Sequence, residues 1–151
     1  MNFETTELSG LRLVGPISKL GEWGAKHHGI ILGKSIEDGK TYVAGFFEEG
    51  YQLSSMNSFV ERYKAFGKII VARNNGRYPY IQVAKNALNE IKKGGNGNYN
   101  IFSNNCESFA NRSMYGTSIS MQVINFCLFF VIIILMYVII KKGGLKTVLG
   151  T

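Results

Sequence analysis

The first third of the chain alternates short apolar runs with glycines, a pattern that predicts strands joined by tight turns. Two of these runs, residues 26–32 and Thr41–Phe47, are predicted as strands, and Asp38-Gly39 provides a turn signal in the segment 33–40 that links them. A third strand is predicted over residues 67–72.

The hydrophobic period then changes to that of a helix. A helix is predicted to open after Pro79 and to end at residues 92–95, with one apolar face formed by Ile81, Ala84, Leu88 and Ile91. A short strand is predicted over residues 99–102, and Asn105 is placed to cap a helix from Cys106 to Tyr115. The pattern predicts an α+β fold, a small antiparallel sheet with packed helices.

A long apolar run follows. No charged residue occurs in positions 113–140, and residues 123–140 are almost wholly Ile, Val, Leu, Phe and Met. About eighteen such residues span the hydrocarbon core of a bilayer as a helix. A buried core helix is the alternative, but the rest of so short a chain could hardly surround it with protein. We therefore predict a domain over residues 1–118, a transmembrane anchor over 119–141 and a short basic tail over 142–151.

The place of this run in the sequence predicts a single-pass, C-terminal tail anchor with the folded domain in the cytosol. The first residues lack the basic flank and apolar core of a secretory signal. Lys141 and Lys142 follow the run while Arg112 alone lies near its other end, so a count of basic residues favours the opposite orientation. A monotopic insertion, in which the segment does not cross the bilayer, is a further alternative. Glycosylation of the sequon Asn111-Arg112-Ser113 would place the domain in a lumen.

Length, charge and cysteine content narrow the function classes. At 151 residues the chain has room for one compact domain and one active site. Its formal net charge is +7, but three lysines follow the apolar run while all ten acidic residues precede it. The remaining basic excess suits membrane phospholipids with anionic headgroups and is too diffuse to indicate nucleic acid as a partner. The second cysteine, Cys127, lies inside the apolar run, so a disulfide with Cys106 is not expected.

Cys106 is the candidate nucleophile. A thiol in the first turn of a helix faces unpaired backbone amides and the positive end of the helix dipole, and both lower its pKa. The same amides could hold the oxyanion that forms when a thiolate attacks a carbonyl. The alternative is that Cys106 is a small core residue on the helix face that it shares with Phe109, Ala110 and Ser113.

His27 and His28 are the candidate general bases. Alternation along a strand sends their side chains to opposite faces of the sheet, so at most one can meet Cys106. Adjacent strand histidines do not converge on one ion, and no partner pair of Cys or His exists, so we expect no metal site and no cofactor.

With these residues in view, the chain resembles the lecithin:retinol acyltransferase-like group, which includes small membrane-anchored phospholipase/acyltransferases and belongs to the permuted NlpC-type papain-like fold. The resemblance rests on Asn-Cys-Glu-Ser-Phe-Ala at residues 105–110, with Met-Tyr-Gly at 114–116, and on His-x-Gly-Ile-x-Leu-Gly ending at Gly33. It implies that Cys106 forms a thioester with a fatty acyl group and that an upstream strand histidine is the base. Counting back from Gly33 favours His27, with His28 as the alternative.

Two positions depart from the family pattern. Members of the group generally carry another histidine on the following strand, which orients the base, and Gly45 stands where that histidine would fall. Ser108 replaces the histidine of the Asn-Cys-Glu-His-Phe block, a change that we expect to affect packing more than chemistry. A Cys-His dyad could still work without the second histidine, and we expect slower catalysis.

Three functions follow from these observations. The first is a membrane-anchored, thiol-dependent phospholipase A/acyltransferase that acts on glycerophospholipids through an acyl-cysteine intermediate. The second is a catalytically weak or inactive membrane adaptor or remodelling protein on the same fold, which Gly45 makes a serious alternative. The third is a thiol peptidase or amidase, since attack on an amide carbon uses the same groups.

Overall fold

The structure, a computed structural model, describes residues 1–94 and 97–148. Within these residues the sheet contains six strands: β1 (Phe3–Glu4), β2 (Arg12–Pro16), β3 (Lys26–Ser35), β4 (Thr41–Phe47), β5 (Gly50–Ser55) and β6 (Ile70–Ala72). The four α-helices described are α1 (Met56–Tyr63), α2 (Tyr80–Lys92), α3 (Cys106–Tyr115) and α4 (Met121–Val148). Short 3₁₀ turns occur at Gly21–Trp23 and Lys64–Phe66.

Every strand pairing described is antiparallel, and the strand order is β5-β4-β3-β2-β6. β1 pairs with the end of β3, where Phe3 lies opposite Ser35. β3 is the long central strand, and it carries both candidate histidines at its beginning. The sheet therefore places the histidines between layers of side chains on both faces.

The two faces of the sheet pack against different helices. On one face, α2 and α3 cover a core that includes Ile30, Phe46, Val83 and Phe109. On the other face, α1 covers a smaller core formed by Leu13, Ile31, Val43, Phe47, Phe59 and Tyr63. Consecutive residues of β3 therefore point into different cores.

A half-buried ion pair joins the two helices of the first face. Arg112 of α3 donates to both carboxylate oxygens of Glu90 of α2, at 2.5 to 3.2 Å, and to the Tyr51 hydroxyl of β5 at 3.2 Å. Tyr51 in turn donates to Glu90 at 2.8 Å. This group ties α2, α3 and the edge strand together.

The structure confirms the predicted α+β class and most of the predicted elements. The strand Thr41–Phe47 and the helices Tyr80–Lys92 and Cys106–Tyr115 have the predicted bounds. The strand predicted over 26–32 continues to Ser35, and the one predicted over 67–72 begins at Ile70. β1, β2, β5 and α1 are not among the elements that the sequence predicted, although Met56, Phe59, Val60 and Tyr63 of α1 have the spacing of an apolar helix face.

The strand predicted over residues 99–102 is wrong. The backbones of Asn100 and Asn104 bond to each other at 2.8 Å and close a turn. The Asn100 side chain accepts from the N–H groups of Phe102 and Ser103, both at 3.0 Å. Asparagine side chains that bond to nearby amides favour turns over strands, and this preference outweighs the short apolar run.

The chain divides into two compact units, Met1–Ser120 and Met121–Thr151. The segment Met121–Lys142 of α4 is long and apolar enough to cross a membrane, and none of it is buried. The helix continues through most of the predicted basic tail, residues 142–151, of which positions 149–151 lie outside the described residues.

Candidate active site

The thiol of Cys106 lies in the first turn of α3, as predicted. Asn105 has an extended backbone, and its side chain accepts a hydrogen bond from the Ser108 N–H at 2.9 Å, which caps the helix. The Asn105 amide also donates to the Ile101 carbonyl at 2.8 Å, so the turn before the helix is held as well. Cys106 is 6% exposed, with Phe109, Ala110 and Ser113 buried on the same helix.

The thiol occupies a gap between two strands of the sheet. The pairing of β3 with β4 stops at Gly29 and Gly45, so β4 does not pair with the first residues of β3. There the Cys106 Sγ lies 3.7 Å from the Lys26 carbonyl oxygen and accepts from the His28 N–H. These two backbone groups flank His27, so the thiol lies against the backbone of β3 at this position.

Burial raises the pKa of the Cys106 thiol above its usual value, contrary to the expectation from its place in the helix. Hydrogen bonds from the backbone N–H groups of His28 and Glu107 lower this pKa but do not offset desolvation, and the Glu107 carboxylate raises it further. The helix end therefore supplies one amide and strand β3 the other, while the surrounding core keeps the resting thiol protonated at neutral pH.

His27 points to the α1 face of the sheet, into an aromatic cluster. Its ring stacks on Phe47 with centroids 4.2 Å apart and on Tyr63 at 5.3 Å. The buried Nε2 has no hydrogen-bond partner within the part of the chain that the structure describes. Burial, with a smaller contribution from the charge of Arg62, lowers the His27 pKa to about 3. His27 is therefore neutral and keeps an unused polar atom.

His28 points to the α3 face, where its ring contacts the guanidinium of Arg12. Its Nδ1 accepts a hydrogen bond from the Arg12 Nε at 2.9 Å. Because an arginine nitrogen only donates, Nδ1 holds no proton and the ring proton lies on Nε2. Burial, followed by the charge of Arg12, lowers the His28 pKa to about 2. The one lone pair with which neutral His28 could act as a base is occupied.

Gly45 lies beside the imidazole of His27, where the resemblance places the family's second histidine. A Cβ built on Gly45 would lie 3.4 Å from the His27 Nε2 and 2.8 Å from Cε2 of Phe47. The ring of Phe47 thus fills the space that a side chain at position 45 would use. The base candidate has an aromatic neighbour in place of a polar one.

A buried polar network that sequence reasoning missed surrounds the first turns of α3. Arg12 donates to the Asn111 side chain at 3.0 Å, and its Nη2 lies 3.6 Å from the Glu107 carboxylate. Glu107 accepts from the Ser120 hydroxyl at 2.6 Å, and the Asn111 amide donates to the Ile119 carbonyl. The only available signal was an arginine in an apolar strand.

This network changes the meaning of the sequon Asn111-Arg112-Ser113. Asn111 is buried in α3, and both ends of its amide are hydrogen bonded. An oligosaccharide could not be attached there in the folded domain, so the absence of glycosylation at Asn111 would carry no information about topology. Among the residues described, no group of three or more His, Cys, Asp or Glu could hold a metal ion.

Comparison with known proteins gives one match. The family model described as lecithin retinol acyltransferase matches residues 15–119, about two thirds of the chain, and includes both histidines, Gly45 and Cys106. No significant match to a curated protein or to a solved structure was found.

Proposed function

The chain belongs to the lecithin retinol acyltransferase family, whose members are thiol acyltransferases, and we propose that it is a membrane-anchored phospholipase A/acyltransferase that acts on glycerophospholipids through an acyl-Cys106 intermediate. One observation carries the proposal. The Cys106 Sγ accepts from the backbone N–H groups of Glu107 in α3 and His28 in β3, and it lies 3.7 Å from the carbonyl oxygen of Lys26, the residue before His27. These contacts support a site in which the nucleophile and its amide donors adjoin the strand that carries the base candidate.

In the proposed reaction His27 takes the thiol proton while sulfur attacks the ester carbonyl carbon of a phospholipid. The carbon–sulfur bond forms, the bond from that carbon to the glycerol oxygen breaks, and the proton passes from His27 to the departing oxygen. Water or an amine then attacks the thioester and restores the thiol. His27 is preferred to His28 because its Nε2 has no hydrogen-bond partner within residues 1–94 and 97–148, whereas Arg12 occupies the His28 Nδ1.

Turnover is expected to be slow. The resting pair is neutral, because burial raises the pKa of Cys106 and lowers that of His27 to about 3. Proton transfer between them is therefore uphill until a polar substrate group enters the site. The missing side chain at Gly45 leaves the imidazole without the orienting partner that would offset this cost.

The same observations favour a second candidate, a catalytically inactive member that serves as a membrane adaptor. The thiol is 6% exposed and protonated at neutral pH, and the His27 imidazole is stacked on aromatic rings. Both are also what a structural core requires. Under this candidate Cys106 contributes packing, and the fold presents a surface at the membrane.

One experiment separates the two candidates. The full-length protein is reconstituted into phosphatidylcholine vesicles, and its intact mass is followed over time. We expect a fatty acyl adduct that is absent in Cys106→Ala and retained in Cys127→Ala, a matched control because the second free thiol lies in α4. A folded protein that never acquires an adduct would support the adaptor, and an adduct lost only in Cys127→Ala would refute Cys106 as the nucleophile.

The proposal includes a C-terminal anchor with the domain on the cytosolic side. It is supported by the helix Met121–Lys142, which has the length and composition of a membrane span. Because Asn111 is buried, topology is better tested with an acceptor sequon appended before the exposed Met1 and, separately, one appended after the tail. Glycosylation of the C-terminal sequon alone is expected, and glycosylation of the N-terminal sequon alone would reverse the orientation.

A further inference from the structure

The loop between β2 and β3 presents an unusual amount of apolar surface to solvent. Trp23, the single tryptophan of the chain, is 96% exposed, Leu20 is 69% exposed and Ile17 is 45% exposed. The loop is closed at its base by the Ile17 N–H, which donates to the Ala25 carbonyl at 3.1 Å. Large apolar side chains held at a closed loop tip indicate a surface that meets an apolar partner.

This loop adjoins the thiol. Ala25, at its base, precedes Lys26, whose carbonyl oxygen lies 3.7 Å from the Cys106 Sγ. A second apolar tip, formed by Ile101 and Phe102, is 63% and 59% exposed and is joined to the start of α3 by the bond from Asn105 to the Ile101 carbonyl. Two exposed apolar tips therefore flank the thiol on the same end of the domain.

The segment that leads into the apolar helix is fixed at this end as well. The Ser120 hydroxyl bonds to Glu107, the residue after Cys106, and the Ile119 carbonyl accepts from Asn111. Ser120 is the last residue before α4 begins at Met121. The point from which the chain continues into the candidate membrane span is thus held within the first turns of the helix that carries the thiol.

The charges around the first tip match an anionic surface. Lys19 lies within the loop, and Lys26 and Lys68 line a small pocket together with Gly21 of the loop. Lys19 and Glu22 balance within the loop, so the basic excess at this end comes from Lys26 and Lys68. Tryptophan prefers the headgroup level of a bilayer, and lysines beside it attract anionic lipids.

We propose that the apolar tips, formed by Ile17, Leu20, Trp23, Ile101 and Phe102, insert into the interface of an anionic bilayer and hold the thiol end of the domain against the lipid. The anchor alone would keep the domain near the membrane on a tether, whereas this surface determines which end of the domain faces the lipid. The proposal concerns membrane contact and does not depend on turnover.

Trp23 is a native reporter for this contact. The full-length protein carrying Cys106→Ala, which removes any contribution from acyl transfer, is reconstituted into vesicles of phosphatidylcholine alone or mixed with phosphatidylserine. We expect the Trp23 emission to shift to the blue and to be quenched about twofold by lipids brominated near the headgroup end of the acyl chain, more in the anionic vesicles. Emission typical of an aqueous indole in both vesicles would overturn the proposal, and equal quenching in both would overturn the role of the lysines.

Leu20→Ser and Ile36→Ser form a matched pair for the same measurement. Both remove one exposed apolar side chain, since Ile36 is 71% exposed, but Ile36 follows the opposite end of β3, roughly 30 Å along the strand from Lys26. Leu20→Ser is expected to return the Trp23 emission toward its aqueous value, and Ile36→Ser to leave it unchanged. Equal effects of the two substitutions, with far-ultraviolet circular dichroism showing both proteins folded, would overturn the proposal.

Discussion

His27 and His28 are neighbours on one strand and each is 6% exposed, yet they lie in opposite chemical surroundings on the two sides of the sheet. On the α1 side, His27 is stacked between aromatic rings, and its Nε2 has no hydrogen bond from any residue that the structure describes. On the α3 side, His28 accepts from Arg12 within a network that reaches Glu107, Asn111 and Ser120.

The difference shows that burial alone does not identify a catalytic base. Desolvation lowers the pKa of both imidazoles by several units, so the two residues are equally neutral at pH 7. What separates them is the lone pair, because the permanent donor Arg12 occupies the acceptor nitrogen of His28. The aromatic side keeps a reactive group available, and the charged side uses its histidine to hold the structure together.

Replacing His27 and His28 in turn with glutamine should reveal the largest difference between the two histidines. His27→Gln should slow formation of the acyl adduct about 10²- to 10⁴-fold, the usual contribution of a general base. His28→Gln should slow it less than about tenfold, since the glutamine oxygen can still accept from Arg12. The rates are measured by intact mass on vesicle-reconstituted protein, and an equal or inverted order of the two losses would contradict the assignment of the base.

Replacing Arg12, the cation on the α3 side, should lower the free energy of unfolding more than the other substitutions. Arg12→Leu leaves the Glu107 carboxylate buried without its ion pair and His28 without its donor, and breaking a buried pair in this way costs about 3–5 kcal/mol. The free energy of unfolding is measured in detergent micelles by urea titration. Arg73→Leu, on the exposed surface, is the control and should change it by less than about 0.5 kcal/mol. A similar small change for Arg12→Leu would mean that the network contributes little.

Much of the backbone of the site could be predicted from the sequence, but the aromatic rings that pack on His27 could not. Asn105 as a helix cap, Cys106 in the first turn and a strand at residues 26–32 follow from local rules, because capping and alternation depend on residues close in the chain. The place of Gly45 beside His27 followed from a family resemblance, and the built Cβ at 3.4 Å from Nε2 agrees with it.

The charged part could not be predicted, because it joins residues far apart in sequence. Arg12 and Asn111 are separated by 99 positions, and no local pattern pairs them. The helix end alone predicts a lowered pKa for Cys106. The direction of the shift is decided instead by how completely the surrounding core excludes water from the thiol, and this depends on tertiary packing.

The free energy of unfolding should fall as the pH is lowered, and both His27 and His28 should contribute to this fall. The folded-state pKa values of His27 and His28 lie at about 3 and about 2, below the unfolded value of about 6.5. Between these values the unfolded chain binds more protons, so the contribution is complete above pH 6.5 and is lost as the pH falls toward 3. Each histidine should contribute a slope of about 1.4 kcal/mol per pH unit over that range.

The same two glutamine variants separate the contributions to this slope. Each of His27→Gln and His28→Gln should remove about half of the decline, measured as the free energy of unfolding in micelles between pH 6.5 and 4.5. If one variant abolished the decline and the other left it unchanged, the two sides would differ in desolvation as well as in hydrogen bonding.

A smaller effect is expected from giving the aromatic side the polar partner that it lacks. In Gly45→Ser the new Cβ would lie 3.4 Å from the His27 Nε2, so the hydroxyl can hydrogen bond to the ring and orient it once the Phe47 ring, whose Cε2 is 2.8 Å from that Cβ, shifts away. Gly45→Ala places the same Cβ against Phe47 without the hydroxyl and is the matched control. One hydrogen bond is worth about 1 kcal/mol, so adduct formation in Gly45→Ser should be about fivefold faster than in Gly45→Ala. Equal rates would mean that the ring already holds its reactive orientation through the stacking of Phe47 and Tyr63, and that aromatic contact has replaced the orienting histidine.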